Sequence, residues 1–225
     1  MLLETSKVDL ITTVYLLRHG HSLGNLTKTF LGHTDLDLSE LGYKQAKCTS
    51  EALLNVNFDK IYSSDLLRAY NTAEFVAEST QIPIITSKNL REVYAGDWEG
   101  KKVDEIIDKW GREVFYDRWV NDFGNFILPE GESIKAAGER IFAEIKQICI
   151  ENPGKTILIS THAAVLRSFW AKINHISLDD ICSKLPFATN ASYSIVKFTN
   201  GEFVPIYYSI DDHLKEIGIT KVNLV

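Results

Sequence analysis

The apolar run Val14-Tyr15-Leu16-Leu17 breaks off at Arg18-His19-Gly20, and that junction constrains the chain more than any other. A short apolar run reads as a buried strand. Open α/β sheets carry their chemistry just outside the carboxyl ends of such strands. An Arg-His pair there presents a fixed cation and an imidazole side by side. Gly20 lets the backbone turn sharply, so that the following groups approach a ligand closely. Phosphate suits the pair. A guanidinium grips its oxygens with a planar fork, and a neutral imidazole can attack phosphorus.

The same strand-then-helix punctuation recurs along the chain. Ser22–Leu38 is polar and turn-rich. Ser39 is a candidate N-cap for a helix to about Leu54. Lys60–Ser63 reads as a strand, after which Asp65 is expected to cap a helix to about Ser79. Pro83–Thr86 is a third strand. Pro129–Ser133 is a turn, followed by a long helix to about Glu151 with Ile134, Ala137, Ile141, Ile145 and Ile148 as its apolar stripe. Thr156–Ser160 is the strongest central-strand signal; Thr161-His162 closes it and Ala163–Ala171 opens another helix. Tyr193–Phe198 and Phe203–Tyr208 flank Asn200-Gly201, a type I′ hairpin signal. This alternation predicts one domain over 1–225, a three-layer α/β/α sandwich on a mostly parallel sheet. The stretch from about 93 to 128 keeps no long period. It concentrates Trp98, Trp110 and Trp119 with further aromatic rings, and carries Lys101, Lys102, Lys109, Arg112 and Arg118. It reads as a small cap insertion of short helices over a site, with an excursion that only covers the core as the alternative.

Composition narrows the partners. A net charge of −6 argues against nucleic acid or an acidic membrane surface. An anionic substrate would need local positive charge set against that field. Cys48, Cys149 and Cys182 are few and scattered, with neither a disulfide framework nor a CxxC metal pair, so a reducing, cytoplasmic setting is expected. No apolar run approaches the ~18 residues of a membrane span. Met1–Lys7 lacks a basic stretch leading into a long apolar one, so no secretory leader is expected.

The candidate chemistry gathers at strand ends. Arg18 and His19 follow the first strand, Arg68 starts the helix after the second, Glu92 follows the third, and His162 ends the fourth. Ala163 opens a helix whose N-terminal N–H groups favour an anion. A phosphoryl transition state spreads its charge over three oxygens and needs such a cradle. His19-x-His21 is also a metal-ligand spacing, but no carboxylate or Cys lies near it in sequence and Arg18 would repel a cation, so no metal and no cofactor are expected. Taken singly, each residue has a plainer reading: Arg18-His19-Gly20 a surface turn, Arg68 and Glu92 solvated charges, His162 a core imidazole, Ser22 and Asn25 turn formers. Arg167 reads as half of a structural ion pair.

Leu17–Asn25, Leu38–Ala46, Ser63–Ala73, Leu90-Arg91-Glu92 with Gly96–Gly100, Gly131-Glu132-Ser133, Ser160-Thr161-His162 and Asn190-Ala191-Ser192 follow one another in an order that resembles the histidine phosphatase (phosphoglycerate mutase-like) superfamily. The resemblance implies a metal-independent phosphomonoesterase of the histidine acid type. In it His19 would be the nucleophile that becomes a phosphohistidine. Arg18, Arg68, His162, Asn25 and the Ala163 N–H would bind the phosphoryl group, and Glu92 would be the acid and then the base. The alternatives are a cofactor-dependent phosphoglycerate mutase and a non-catalytic phospho-ligand binder. Gly96-Asp97-Trp98-Glu99-Gly100 resembles the phosphatase branch, since mutases carry a longer stretch there. His21 stands where the family often has Glu or Gln, Asp65 where Pro is common, and Ala163-Ala164 where Gly is frequent. The expected partner is a small phosphorylated metabolite, and the closing hairpin offers an edge for a homodimer.

Overall fold

The computed structural model describes residues 10–218. Leu10 is therefore its first residue, and the leader reading of Met1–Lys7 lies outside the described part. The strands are β1 (Thr12–Arg18), β2 (Lys60–Ser64), β3 (Ile84–Ser87), β4 (Thr156–Thr161), β5 (Tyr193–Thr199) and β6 (Glu202–Ile210). They form one sheet in the order β3-β2-β4-β1-β5-β6. β3, β2, β4 and β1 are parallel, while β5 runs antiparallel to both β1 and β6. β1 and β4 sit at the centre because their runs are apolar on both faces.

Successive residues point to opposite faces, and that alternation builds two cores. Leu16, Ile157 and Ile159 face α5 (Ile134–Glu151) and α6 (Ala163–Ile173). Leu17, Leu158 and Ile61 face the other layer, which holds α3 (Leu67–Thr80) and the end of α2 (Glu40–Ala52). The sheet is therefore sandwiched between helical layers. The parallel register aligns Arg18 with Thr161 at the carboxyl edge, so that His19 and His162 leave the sheet side by side. The hairpin turn takes left-handed backbone at both Asn200 (φ 53°) and Gly201 (φ 84°), as type I′ geometry demands.

Several local expectations are corrected. The turn-rich Ser22–Leu38 stretch contains a short helix, α1 (Leu23–Thr27). Asp65 does not cap α3, whose N-cap is Leu66 with no side-chain bond. Its carboxylate instead holds Arg91 Nε and Nη2, both at 2.6 Å. A bidentate ionic pair outweighs one bond to a backbone N–H. Arg167 has no acidic partner among the described residues. It donates to the carbonyls of Leu185 (2.8 Å) and Ile181 (3.1 Å) and stacks on Phe187 and Phe123. Residues 93–128 form α4 (Val103–Trp110), a π-helical stretch at Val114–Val120 and short 3-10 turns. Their apolar side chains join the same core as β1 and β4.

Candidate active site

His19 begins where β1 ends. Its N–H donates to the Thr161 carbonyl, and its own carbonyl accepts from Ala191 N–H and Asn190 Nδ2, so neighbouring strands and the turn before β5 fix its backbone. The ring Nδ1 lies 2.7 Å from the Gly20 carbonyl. A carbonyl only accepts, so Nδ1 carries the proton and Nε2 keeps its lone pair. Burial, then the guanidinium groups of Arg68 and Arg18, push the imidazole well below its ordinary range. It is neutral at pH 7 for a structural reason.

Both arginines are buried and neither has a carboxylate partner. Arg18 Nη1 donates to the Ala188 carbonyl at 2.5 Å, while its Nε is enclosed without a partner. Arg68 donates to the carbonyls of Thr34 (3.0 Å) and Gly32 (2.7 Å). Burial brings each down to about 10, which leaves both protonated at pH 7. The site thus holds two cations held only by carbonyl oxygens, an arrangement that favours an incoming dianion.

His162 lies wholly buried beneath His19, ring centroids 5.2 Å apart, and neither of its ring nitrogens has a partner. Burial, then Arg68, depresses it well below the ordinary histidine value. His162 is also the N-cap of α6. Glu92 sits over that helix start. Its Oε2 accepts from Ala164 N–H (3.0 Å) and its Oε1 from Val165 N–H (3.2 Å) and Val93 N–H (3.0 Å). The Ala163 N–H is the first-turn donor that Glu92 leaves untouched. Asn25 and Ser22 do form a turn, closing a reciprocal cap on α1. The same bonds turn Asn25 Oδ1 toward Ser22 and Asn190, which leaves Nδ2 as the group available to a ligand.

These groups meet at one cavity of about 190 Å³. Arg18, His19, Asn25, Arg68, Glu92 and Ala163 line it, and Glu92 is the only carboxylate to do so among the described residues; His162 lies just behind. His21 lines it too, its Nδ1 2.8 Å from Ser39 Oγ. Among the described residues Lys28 is the only ammonium that lines it. None of Lys101, Lys102, Lys109, Arg112 and Arg118 lines it. Lys109 and Arg112 lie over Trp110 and Tyr116, and Arg118 pairs with Asp122.

Sequence reasoning missed the residues that hold this set in place. Glu99 accepts from His33 N–H, Thr34 N–H, Thr34 Oγ–H and Ala95 N–H at 2.6–2.9 Å. That fixes the loop whose carbonyls hold Arg68. Arg140, on α5, donates to the carbonyls of Asn89, Arg91 and Glu92 and to the Glu132 carboxylate. His33 Nε2 also donates to the Glu92 carbonyl. The one local hint was Glu99 flanked by Gly96 and Gly100, both left-handed. Nothing near Arg140 in sequence marks it.

Comparisons with known proteins fit this geometry. The family description "Histidine phosphatase superfamily (branch 1)" matches residues 14–211. A phosphoserine phosphatase of Hydrogenobacter thermophilus is 29% identical over 204 residues, 91% of this chain and 95% of that one. A protein of Yersinia pestis, named a probable phosphoglycerate mutase, is 32% identical over 68% of this chain and 70% of its own. Among solved structures, Bacillus stearothermophilus YhfR superposes with a TM-score of 0.84 at 31% identity, covering 91% of this chain and all of that one. A mycobacterial glucosyl-3-phosphoglycerate phosphatase in complex with VO3 gives 0.79 at 25% identity, covering 88% and 99%.

Proposed function

The chain belongs to the histidine phosphatase superfamily, and on that premise we propose that it is a metal-independent phosphomonoesterase working through a phosphohistidine. One observation carries the reading: two buried guanidinium groups with only carbonyl partners flank a neutral imidazole whose Nε2 is free. Arg18, Arg68, Asn25, His162 and the Ala163 N–H hold the phosphoryl oxygens. His19 Nε2 attacks phosphorus in line. The P–O ester bond breaks as Glu92 gives its proton to the leaving alcohol. The Glu92 carboxylate then takes a proton from water, the hydroxide oxygen attacks phosphorus, and the P–N bond breaks to return the lone pair to His19. Donors aimed at the equatorial oxygens are worth on the order of 10²–10³ in rate each, by analogy with oxyanion holes.

Lys28 is the only ammonium beside this cradle, and a lone exposed cation is a poor seat for a carboxylate. That favours hydrolysis over phosphoglycerate mutation. The intact His19–Glu92 set favours turnover over silent binding. The free thiols of Cys48, Cys149 and Cys182 suit a reducing, cytoplasmic compartment. A homodimer through the edge of β6, where Val204, Ile206 and Tyr207 are exposed, belongs to the same reading.

The test is hydrolysis of p-nitrophenyl phosphate in EDTA, with alkaline quench and radiolabelled substrate to trap the acid-labile intermediate. Turnover survives the chelator, the label sits on His19, and His19→Ala abolishes both. The acid-type character shows in the pH profile. Because His19 resists protonation, the acid limb of kcat/KM falls below the ordinary histidine value of about 6.5. Label on another side chain, or activity that EDTA removes and a divalent metal restores, overturns the mechanism. Interconversion of 3- and 2-phosphoglycerate with 2,3-bisphosphoglycerate present would favour the mutase.

A further inference from the structure

Beyond the phosphoryl cradle the cavity changes character. Phe30, Leu31, Val103, Phe115, Trp119 and Phe187 form its outer wall. The wall is held rather than loose. Phe30 meets Trp119 edge-on at 5.0 Å, and Trp119 is itself packed against Phe123 and Phe126. Arg167, like Arg18 and Arg68 a buried cation with no acidic partner among the described residues, stacks on Phe187 at 4.2 Å and ties down the carbonyls of Ile181 and Leu185 just before it.

A substrate with a carboxylate, an ammonium or several hydroxyls would have to shed water against these rings, with His21, Ser22, Lys28 and Thr29 as the polar side chains that share the lining outside the cradle. A flat apolar group sheds water to its advantage. Size permits this without deciding it. One water needs roughly 10–15 Å³ of such space, so a cavity of about 190 Å³ admits roughly 13 to 19 non-hydrogen atoms, phosphoryl group included. One ring with a short link fits.

Resting on the phosphomonoesterase reading above, we infer that the preferred substrate is the phosphomonoester of a small arylmethyl or similarly flat apolar alcohol. Esters of a hydroxy amino acid, a glyceric acid or a sugar are disfavoured. The wall formed by Phe187, Val103 and Trp119 is the determinant, and Arg167 acts through Phe187 to position it.

The experiment compares kcat/KM for benzyl phosphate with that for phosphoserine, 3-phosphoglycerate and glucose 6-phosphate. All are alkyl esters, so leaving-group chemistry is nearly matched and the pocket decides. Benzyl phosphate is expected to lead each by at least tenfold. Phe187→Ser removes most of that lead, chiefly through KM, costing benzyl phosphate at least fivefold more than it costs phosphoserine. Should Phe187→Ser fail to fold, Val103→Ser, at the half-buried start of α4, carries the same readout with a smaller loss. If any of the polar esters equals or beats benzyl phosphate while p-nitrophenyl phosphate is still hydrolysed, this inference falls and the phosphatase reading stands. A preference for benzyl phosphate that survives both wall variants also overturns it, as does an equal loss for every ester. If no ester is turned over, including p-nitrophenyl phosphate, both readings fall together.

Discussion

Glu99 spends both carboxylate oxygens on four donors drawn from two loops, and no lysine or arginine pairs with it among the described residues. Its consequence is remote. The loop it gathers supplies the Gly32 and Thr34 carbonyls that hold Arg68, so an acid outside the cavity sets where a cation inside it points. Hydrogen bonds to a charged group are worth about 1.5–3 kcal/mol each. Glu99→Gln keeps the volume but leaves one amide nitrogen facing donors. We expect kcat/KM to drop roughly tenfold to a hundredfold, with inorganic phosphate binding weakened in parallel because Arg68 is the group displaced. Glu99→Ala should be worse than Glu99→Gln. Unchanged phosphate affinity in both variants would show that Glu99 serves only the loop. His19, by comparison, was readable from its neighbours in sequence, whereas Glu99 stood in a recognisable segment with no role attached, because three of its four donors come from His33 and Thr34, far up the chain.

Among the elements, α5 does more than cover the sheet. It projects Arg140 across the connection from β3, where the guanidinium takes the Asn89, Arg91 and Glu92 carbonyls in one grip. From the other side Asp65, just ahead of α3, holds Arg91. Glu92 therefore rides on a segment clamped twice and seated on the N-terminus of α6. Arg140→Lys keeps the charge but cannot span three carbonyls. The acid should then sit less accurately, which matters most when the leaving alcohol is a strong base. The expected outcome is a loss of about tenfold or more in kcat for alkyl phosphates, with a smaller loss for p-nitrophenyl phosphate and little change in phosphate affinity. Equal loss on both ester types would assign Arg140 to folding alone. α2 meets the backbone after β1 just as closely. A Cβ on Gly42 would lie 2.0 Å from the His21 carbonyl, so the helix approaches that backbone only because residue 42 has no side chain. The helices themselves were legible from caps and apolar stripes, Ser39 and Ser133 among them. Asp65 was misread because a strong partner lay across the fold, and α1 was missed because a five-residue helix shows no period.

At the scale of the whole molecule, the site is stored electrostatic imbalance. His19 and His162 are buried and neutral, and both are depressed below the unfolded value of 6.5. As pH falls through 6.5 the unfolded chain binds protons that the native state refuses, so stability is lost below that point and is fully present above it. Each ring contributes a slope of up to about 1.4 kcal/mol per pH unit until its folded pKa is reached. Urea denaturation between pH 7.5 and 5 should show this decline, and the His162→Asn variant should flatten it. A stability flat across that window would mean that the two rings are not held neutral. The carboxylates lowered by their partners, Asp59 and Asp65, act only in the more acid range and leave this window alone.

What the order of residues determined by itself was everything that local pattern carries. Apolar runs named the strands, caps and stripes named the helices, and polar residues placed just past strand ends named His19, Arg18, Arg68, Glu92 and His162. The chain's alternation brings those five side chains together, because a parallel sheet delivers its strand ends to one edge. What only the tertiary structure decided was which residues lock those groups and what surrounds them. Glu99, Arg140, Phe187 and Trp119 each depend on a contact between distant segments, with Thr34, Asn89, Phe123 and Phe30 respectively, and no window of neighbouring residues contains both of those partners. The cavity's apolar outer wall was invisible for the same reason: the basic residues interleaved with its aromatics in sequence turn outward once the segment folds onto the core.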